Sequence, residues 1–505
     1  MNMPNRLRRL LPAAAAVIAL AATSGPAAGD PPAIGQAGRH FVDETGRTRI
    51  LHGIAFTYKE HGSEEFSAEF DEDDAAFLAQ NGLTLLRLAV FASGVMPAPG
   101  VFDPAYVDGI GDIVDVAAEA GLDVIVDFHQ DVYANKYNGR GMPDWMGEDD
   151  GVPVSPDTGN LAANYFANPS VWRAFDNFWM NAPADDGVPL QEHFARAWRY
   201  VAEKFANHPG VMGFEIMNEP FPGSQWTTCA SPAGCPAFDQ LMLTEFSKRI
   251  GKAIAEAAPD KFVIYEPNVT FDFGADTYHG DIVVRPAAFS YHVYCLGLQF
   301  GTPPTGDLAC EDLGERPQFR SAAKHADTYQ VPLILSEFGH FTAGKDEDVS
   351  GVIDRVANLA AEIGSSWTYW DYAIGNPQGA KPYGSAEILK DLRRPPTEDN
   401  LMTERVDAIV RAYPRAVAGT PTHYAWDSAT KTFTLEYTPA RADGSGSFGA
   451  GSITEVFVPA RRFPDGYSVE VTGASVVSAP GAQILKLALD EAADGVTLTI
   501  TPSGN

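Results

Sequence analysis

The sequence predicts an α/β protein, a (β/α)8 TIM barrel followed by a smaller C-terminal antiparallel β-sandwich. Three observations predict it. Eight short apolar runs alternate with helix-like segments between residues 49 and 370, the pattern of a parallel sheet, and eight such units suit a closed barrel better than an open sheet. Around residues 413–421 the pattern changes to short alternating runs separated by turn residues, as in a sandwich. Several of the apolar runs end abruptly in polar residues, where parallel barrels carry their chemistry.

The elements follow in order. Residues 30–38 are rich in Pro, Gly and Ala and read as a flexible leader. The first strand is expected over 49–56 and a helix over 66–81. The second strand covers 84–90, followed by a helix over 104–120 capped by Gly121. The strand 122–128 is fully apolar apart from its aspartates. A polar, Gly-rich excursion occupies 134–168, and helical periodicity returns over 171–180 and 190–207. The strand 211–217 runs into Asn218, Glu219 and Pro220. A proline cannot donate to a ladder, so the strand stops there. A helix over 245–258, strands at 262–265 and 288–293, a helix over 319–329 and a strand at 332–336 come next. A helix over 349–363 and a strand over 366–370 close the series. The sandwich strands are expected at 432–437, 453–458, 467–471, 484–489 and 496–501. No Gly-x-Gly-x-x-Gly follows the first strand, which argues against a dinucleotide fold.

The chain has 505 residues and a net charge of −30. That charge repels nucleic acid and gives no reason for electrostatic docking on an anionic membrane. Arg6, Arg8 and Arg9 precede an apolar run of about 13 residues and then small residues at 27–29, the layout of a secretory signal peptide. The run is short of the roughly 20 residues that span a bilayer. The expected organisation is a signal peptide at 1–29, the catalytic barrel at 30–412 and the sandwich at 420–505. The expected product is a secreted monomer. Four cysteines in an exported chain suggest disulfides. Proximity pairs Cys229 with Cys235 and Cys295 with Cys310, although four cysteines allow three connectivities. Zinc is the alternative, but the CxxC pairs that it favours are absent.

Strand-end positions yield the candidate chemistry: Lys59, Arg87, His129, Asp131, Asn218, Glu219, His292, Tyr294, Glu337 and Trp370. Glu219 and Glu337 each follow a buried apolar run. One such carboxylate alone is commonly a salt-bridged surface residue, but two across a barrel mouth suit glycoside hydrolysis. One must be protonated to donate to the leaving oxygen, and the other ionised to attack the anomeric carbon. Asn218 suits a hydrogen bond to a sugar 2-OH. Tyr294 and Arg87 suit donors that keep Glu337 ionised, Arg87 serving equally as a neutraliser of a buried carboxylate. His129 suits either a sugar contact or a structural hydrogen bond. Trp370 suits a sugar-stacking face or core packing. Glu215, inside its strand, calls for a buried partner such as an arginine. No metal and no cofactor are required.

The motifs Asn218-Glu219-Pro220 and Ser336-Glu337-Phe338-Gly339, with Arg87, His129, Tyr291-His292-Val293-Tyr294 and Trp370, resemble glycoside hydrolase family five. Phe128-His129-Gln130-Asp131-Val132-Tyr133, residues 173–179, Met217 to Phe221 and residues 413–421 are similar to the endoglycoceramidases of actinobacteria. The resemblance implies a retaining hydrolase that cuts between the first sugar and ceramide and releases the intact oligosaccharide. It implies that Glu219 is the acid/base and Glu337 the nucleophile. It also implies that Lys59, His129, Asp131, Asn218, Tyr294 and Trp370 contact sugar, with Arg87 and His292 in support. Its substrate partner is a glycosphingolipid, met at a lipid surface or micelle. The apolar stretch 296–300 suits the lining of an acyl channel, or a loop clamped to the core by Cys295 and Cys310. The loop 134–145 and the insert between Cys229 and Cys235 depart from the family pattern, and the first sugar, glucose or galactose, stays open. A polysaccharide-directed β-glucanase and a non-catalytic glycan-binding protein are the competing readings.

Overall fold

A computed structural model describes residues 31, 33–57, 70–294, 308–339, 349–373 and 386–503. Three short strands open the described chain: β1 (Ile34–Ala37), β2 (His40–Asp43) and β3 (Thr48–Arg49). Eight strands then close a parallel barrel: β4 (His52–Phe56), β5 (Leu85–Val90), β6 (Asp123–Phe128), β7 (Val211–Glu215), β8 (Phe262–Tyr265), β9 (Ala287–Val293), β10 (Leu333–Phe338) and β11 (Ser366–Tyr369). The barrel is closed by the pairing of β11 with β4. Apolar residues cover both faces of these strands, as parallel strands packed under helices require. The outer helices begin where their caps dictate. Asp103 accepts from the backbone N–H groups of Ala105 and Tyr106 ahead of Pro104, starting the helix Pro104–Glu119. A reciprocal capping box starts Glu72–Gln80 at Asp71.

Eight further strands follow: β12 (Tyr413–Val417), β13 (Thr420–Asp427), β14 (Thr432–Thr438), β15 (Ile453–Phe457), β16 (Tyr467–Thr472), β17 (Ala474–Val476), β18 (Ile484–Leu489) and β19 (Val496–Pro502). They form a four-stranded sheet, β13-β14-β19-β16, and most of a seven-stranded one, β1-β2-β3-β12-β15-β18-β17. The first strands of the chain therefore complete the second sheet. Residues 34–37, expected as part of a leader, pair antiparallel with 40–43. The single strand expected at 49–56 is two: Thr48–Arg49 pairs with β12, and His52–Phe56 enters the barrel. The units meet where His52 stacks between Trp367 and Tyr413, at ring centroid distances of 4.1 and 3.8 Å. Tyr413 also donates its hydroxyl hydrogen to the Gly82 carbonyl. Among the described residues, no helix is long and apolar enough to cross a membrane.

The barrel interior explains where the chemistry sits. Alternate residues of a strand point inward. A lower layer of Leu85, Ile125, Phe262, Ile264, Ala288 and Ile334 is apolar and closed from below by Phe41 and Leu51. Two residues further along the same strands stand Arg87, Asp127, Glu266 and Ser290, and then His292, all buried. The change from apolar to charged filling marks the floor of the site.

Candidate active site

Arg87 is the hub. Fully buried, it reaches Glu215 Oε2 through Nε at 2.5 Å and Glu337 Oε1 through Nη1 at 2.6 Å. Its Nη2 faces Asp127 Oδ2 at 3.0 Å, Asn218 Oδ1 at 2.9 Å and Glu266 Oε1 at 3.4 Å. Burial works against the charged form, but Asp127, Glu215, Glu337 and Glu266 together hold the guanidinium well above its usual range. Burial opposes ionisation of Glu215 too, and Arg87 outweighs it, leaving that carboxyl below its ordinary value. The arginine expected for Glu215 is thus Arg87.

Glu337 lies within β10 rather than after it. The pairing of β10 with β9 shifts register between Leu335 and Glu337. One extra residue re-aims a strand at such a bulge, which turns Glu337 toward the interior. There it accepts from Arg87 and, at Oε2, from the Tyr294 hydroxyl at 2.9 Å. Burial, then the Glu337 carboxylate, push Tyr294 far above the usual phenol range, so it keeps the hydrogen that it donates.

Glu219 stands beyond the end of β7, which stops at Glu215 rather than at Met217. Its backbone is left-handed, at φ 45°, a conformation that costs a non-glycine residue about 1–3 kcal/mol and must be held in place. Two side chains hold it. Gln130 donates to the carbonyls of Asn218 and Glu219, both at 3.0 Å, and Glu266 Oε2 accepts the Glu219 N–H at 2.8 Å. The Glu219 carboxyl is the more open of the pair, 15% exposed against 6% for Glu337.

His292 joins the two glutamates. Its Nδ1 lies 3.0 Å from Glu219 Oε1 and 3.6 Å from Glu337 Oε2, so those oxygens are at most about 6.6 Å apart, the two distances laid end to end. Its Nε2 faces Glu266 Oε1 at 3.2 Å. Burial disfavours the imidazolium, but Glu266 and Glu337 overcome this and keep His292 protonated well above the usual histidine value. Burial pushes Glu266 up to about 8, against the pull of His292. Asp272, in the turn Val269–Phe273, is buried, with a carboxyl oxygen within 4.8 Å of Glu219. Burial drives it well above the carboxyl range, with Glu219 adding to the push and His292 opposing it. Glu219, Asp272 and His292 each bring a ligand atom within 4.8 Å of the others, close enough for a cation. However, both ring nitrogens of His292 face carboxyls, which favours the imidazolium and leaves no lone pair for a metal. The arrangement is built to share protons.

The remaining expected residues lie around this centre. His129 Nδ1 pairs with Asp127 Oδ2 at 2.9 Å, and its Nε2 is 3.6 Å from Asp131 Oδ2. Trp370 stacks on His129, with centroids 5.6 Å apart and planes 12° apart. Asn218 donates from Nδ2 to the Gln130 carbonyl at 3.1 Å. Lys59, Cys295 and the stretch 296–300 lie outside the described residues. Cys229 and Cys235 are bonded to each other, and Cys310 is disulfide-bonded. Sequence reasoning missed Asp127, Gln130, Glu266 and Asp272. Glu266-Pro267 repeats the signature of Glu219-Pro220 and was there to be read. Asp272 carries no local signal.

Paired carboxyls at the ends of different strands of a parallel barrel, held by an arginine, a tyrosine and a histidine, define an O-glycosyl hydrolase. Comparison with known proteins agrees. The family description Cellulase (glycosyl hydrolase family 5) matches residues 51–376, and Glycoside hydrolase family 5 C-terminal domain matches 411–501. The chain belongs to glycosyl hydrolase family 5. It is 30% identical over 481 residues to Endoglycoceramidase I of Rhodococcus hoagii (strain 103S), covering 93% of this chain and 88% of that one. It also resembles solved structures of endo-glycoceramidase II from Rhodococcus sp. One is a lactosyl-enzyme intermediate, with TM-score 0.70 and 30% identity. The other is a ganglioside GM3 complex, with TM-score 0.72 and 30% identity. Each covers 92% of this chain and 99% of the other.

Proposed function

We propose that this chain is a secreted, retaining endoglycoceramidase-type hydrolase. It cleaves the bond between the first sugar and ceramide of glycosphingolipids and releases the intact oligosaccharide. The observation that carries the reading is the bridge of Glu219 and Glu337 by one His292 nitrogen. It bounds their oxygens at about 6.6 Å, compatible with the roughly 5–5.5 Å carboxyl separation of retaining enzymes and short of most of the roughly 6.5–9.5 Å range of inverting ones. Glu337, ionised under Arg87 and Tyr294, attacks the anomeric carbon. Glu219 gives its proton to the departing ceramide oxygen, then takes a proton from the water that releases the sugar from Glu337. Asn218 and His129 contact the sugar, with Lys59, Asp131 and Trp370. The relative captured as a lactosyl-enzyme intermediate supports a covalent route, and the one bound to ganglioside GM3 supports a glycosphingolipid substrate.

Export rests on the basic, apolar and small-residue order of residues 6–29, and is tested by N-terminal sequencing of protein from culture medium. The enzyme acts as a monomer that meets lipid surfaces or micelles transiently. A β-glucanase is the second reading, favoured by the Cellulase description of the barrel. One experiment separates them: incubate the enzyme with glucosyl- and galactosyl-linked glycolipids and with soluble β-glucan, then identify products by mass spectrometry. Free ceramide with an intact glycan is the expected outcome, and glucan fragments alone overturn the proposal. Glu337→Ala should lose about 10⁴-fold or more in kcat; unchanged turnover would remove Glu337 from the mechanism.

A further inference from the structure

His292 poses a problem for the reading of Glu219 as the acid. A buried imidazolium at 3.0 Å favours the carboxylate, whereas a proton donor must start as the carboxylic acid. Something must push the other way. The groups around Glu219 are His292 from β9, Tyr294 just beyond it, Glu337 from β10, Glu266 after β8, Tyr165 from the helix Leu161–Phe166, and Asp272 from the turn after β8. Arg87 is committed to Glu215, Glu337 and Asp127. Of these groups, Asp272 has the required character. It is a buried carboxyl with an oxygen within 4.8 Å of a Glu219 oxygen, and two carboxyls set that close favour a proton held between them. Among the described residues, no N–H or O–H reaches its buried Oδ2. A buried carboxylate without donors is costly and takes up a proton.

The turn that carries Asp272 is tied to the chain that follows Glu219. Val269 N–H donates to the Pro220 carbonyl at 3.1 Å. The Thr270 hydroxyl donates to the carbonyl of Cys229, a disulfide-bonded residue, at 3.2 Å. Asn268 caps the turn and donates to Asp239 at 2.7 Å. The two carboxyls are therefore held in register by backbone and not by a flexible side chain alone.

From this geometry we infer that Asp272 is a positioning residue that holds one proton in common with Glu219 and so keeps the acid/base loaded beside a cationic histidine. The inference rests on the reading of Glu219 as the acid/base. In the first step the shared proton passes from the pair to the leaving oxygen as the C–O bond breaks, and the pair is left doubly ionised. In the second step water gives one proton back to the pair as its oxygen bonds the sugar carbon. Two carboxyls sharing a proton lose it at higher pH than either would alone. The shared proton thus sets the alkaline limb of the pH profile.

The test uses the full chain, Asp272→Asn, Asp272→Ala, and two substrates with the same sugar: a glycolipid, whose alkoxide leaving group needs a proton, and a dinitrophenyl glycoside, whose leaving group does not. Asp272→Asn keeps the shape but cannot share a proton. The expected result is an alkaline limb of kcat/KM on glycolipid moved down by about one pH unit or more, with a loss of about 10- to 100-fold at the wild-type optimum. The dinitrophenyl rate stays within about 3-fold. Asp272→Ala should behave likewise. An unmoved limb, or equal losses on both substrates, overturns the inference, because a merely structural role lowers both together. Wild-type enzyme that turns over neither substrate overturns the functional reading itself, and the inference with it.

Discussion

Replacing Arg87 with methionine tests the central electrostatic claim, because the side chain keeps much of its length and loses its charge. The structure sets the magnitude. Arg87 is the cation nearest to Glu215 and Glu337, at 2.5 and 2.6 Å, with all three groups buried. Without it, each carboxylate is stranded or must take up a proton. Protonating a glutamate of ordinary pKa about 4.3 costs about 3.7 kcal/mol at pH 7 but only about 1 kcal/mol at pH 5, from about 1.36 kcal/mol per pH unit. His292 still attracts both groups, so one full penalty is expected, not two. That agrees with the roughly 3–5 kcal/mol lost when one partner of a buried pair is removed. The sign follows from Glu215. In the wild type its folded pKa is depressed, so its contribution is present above the unfolded value and is lost as pH falls through the folded one. In Arg87→Met the stranded carboxyls have raised values, so the fold is penalised at neutral pH and relieved on acidification. Urea unfolding at pH 7 and pH 5, followed by tryptophan fluorescence, should therefore give a loss of about 3–5 kcal/mol that shrinks to about 1–2 kcal/mol. A loss below about 1 kcal/mol at pH 7, or one that grows on acidification, would refute the reasoning.

Tyr294→Phe removes one hydrogen bond to Glu337 Oε2. A charge-assisted bond of about 1.5–3 kcal/mol predicts a fall of about 10- to 100-fold in kcat/KM on glycolipid, with thermal unfolding nearly unchanged; activity within 3-fold of wild type would show that the bond carries little. The double change Cys229→Ser, Cys235→Ser opens a six-residue separation and should lower stability by about 2 kcal/mol through loop closure. Equilibrium denaturation checks it, and an unchanged midpoint would mean that the loop is held by its other contacts.

The barrel was legible because its strands are apolar on both faces and its helices are periodic. What the sequence concealed follows one physical rule. A position just after a strand is a poorer guide to the site than inward parity along it. Leu85 and Arg87, Ile125 and Asp127, and Ile264 and Glu266 are inward pairs two residues apart. Counting parity from the apolar layer finds Asp127 and Glu266, which a search of strand ends passes over. Parity fails at Glu337, where a register shift intervenes. A bulge has no reliable sequence signal, and what pointed there was a carboxylate following an apolar run, together with the Ser-Glu-Phe-Gly motif. The strand Ile34–Ala37 was hidden by its Pro, Gly and Ala surroundings, although its ladder is local, with residues 40–43. Asp272 was invisible for a different reason: its proposed role lies in a neighbour 53 positions away (272 less 219).

The proposed division of labour between the two glutamates is supported by the cations present among the described residues, independently of any relative. Six carboxyls, Asp127, Glu215, Glu219, Glu266, Asp272 and Glu337, crowd around Arg87 and His292. Among the described residues, Arg87 and His292 cannot by themselves keep six closely set carboxylates ionised, five of them buried, so protons must remain on some of them. They remain where donors are scarce. Glu266 and Asp272 are pushed up, first by burial. Glu337 has a permanent cation at 2.6 Å and a phenol at 2.9 Å, donors that suit a carboxylate kept ionised for the proposed attack. Glu219 has one histidine at 3.0 Å and the buried Asp272 carboxyl within 4.8 Å, and it is also the more exposed of the two. Of the two, Glu219 is therefore the one placed to present a proton outward in the proposed mechanism.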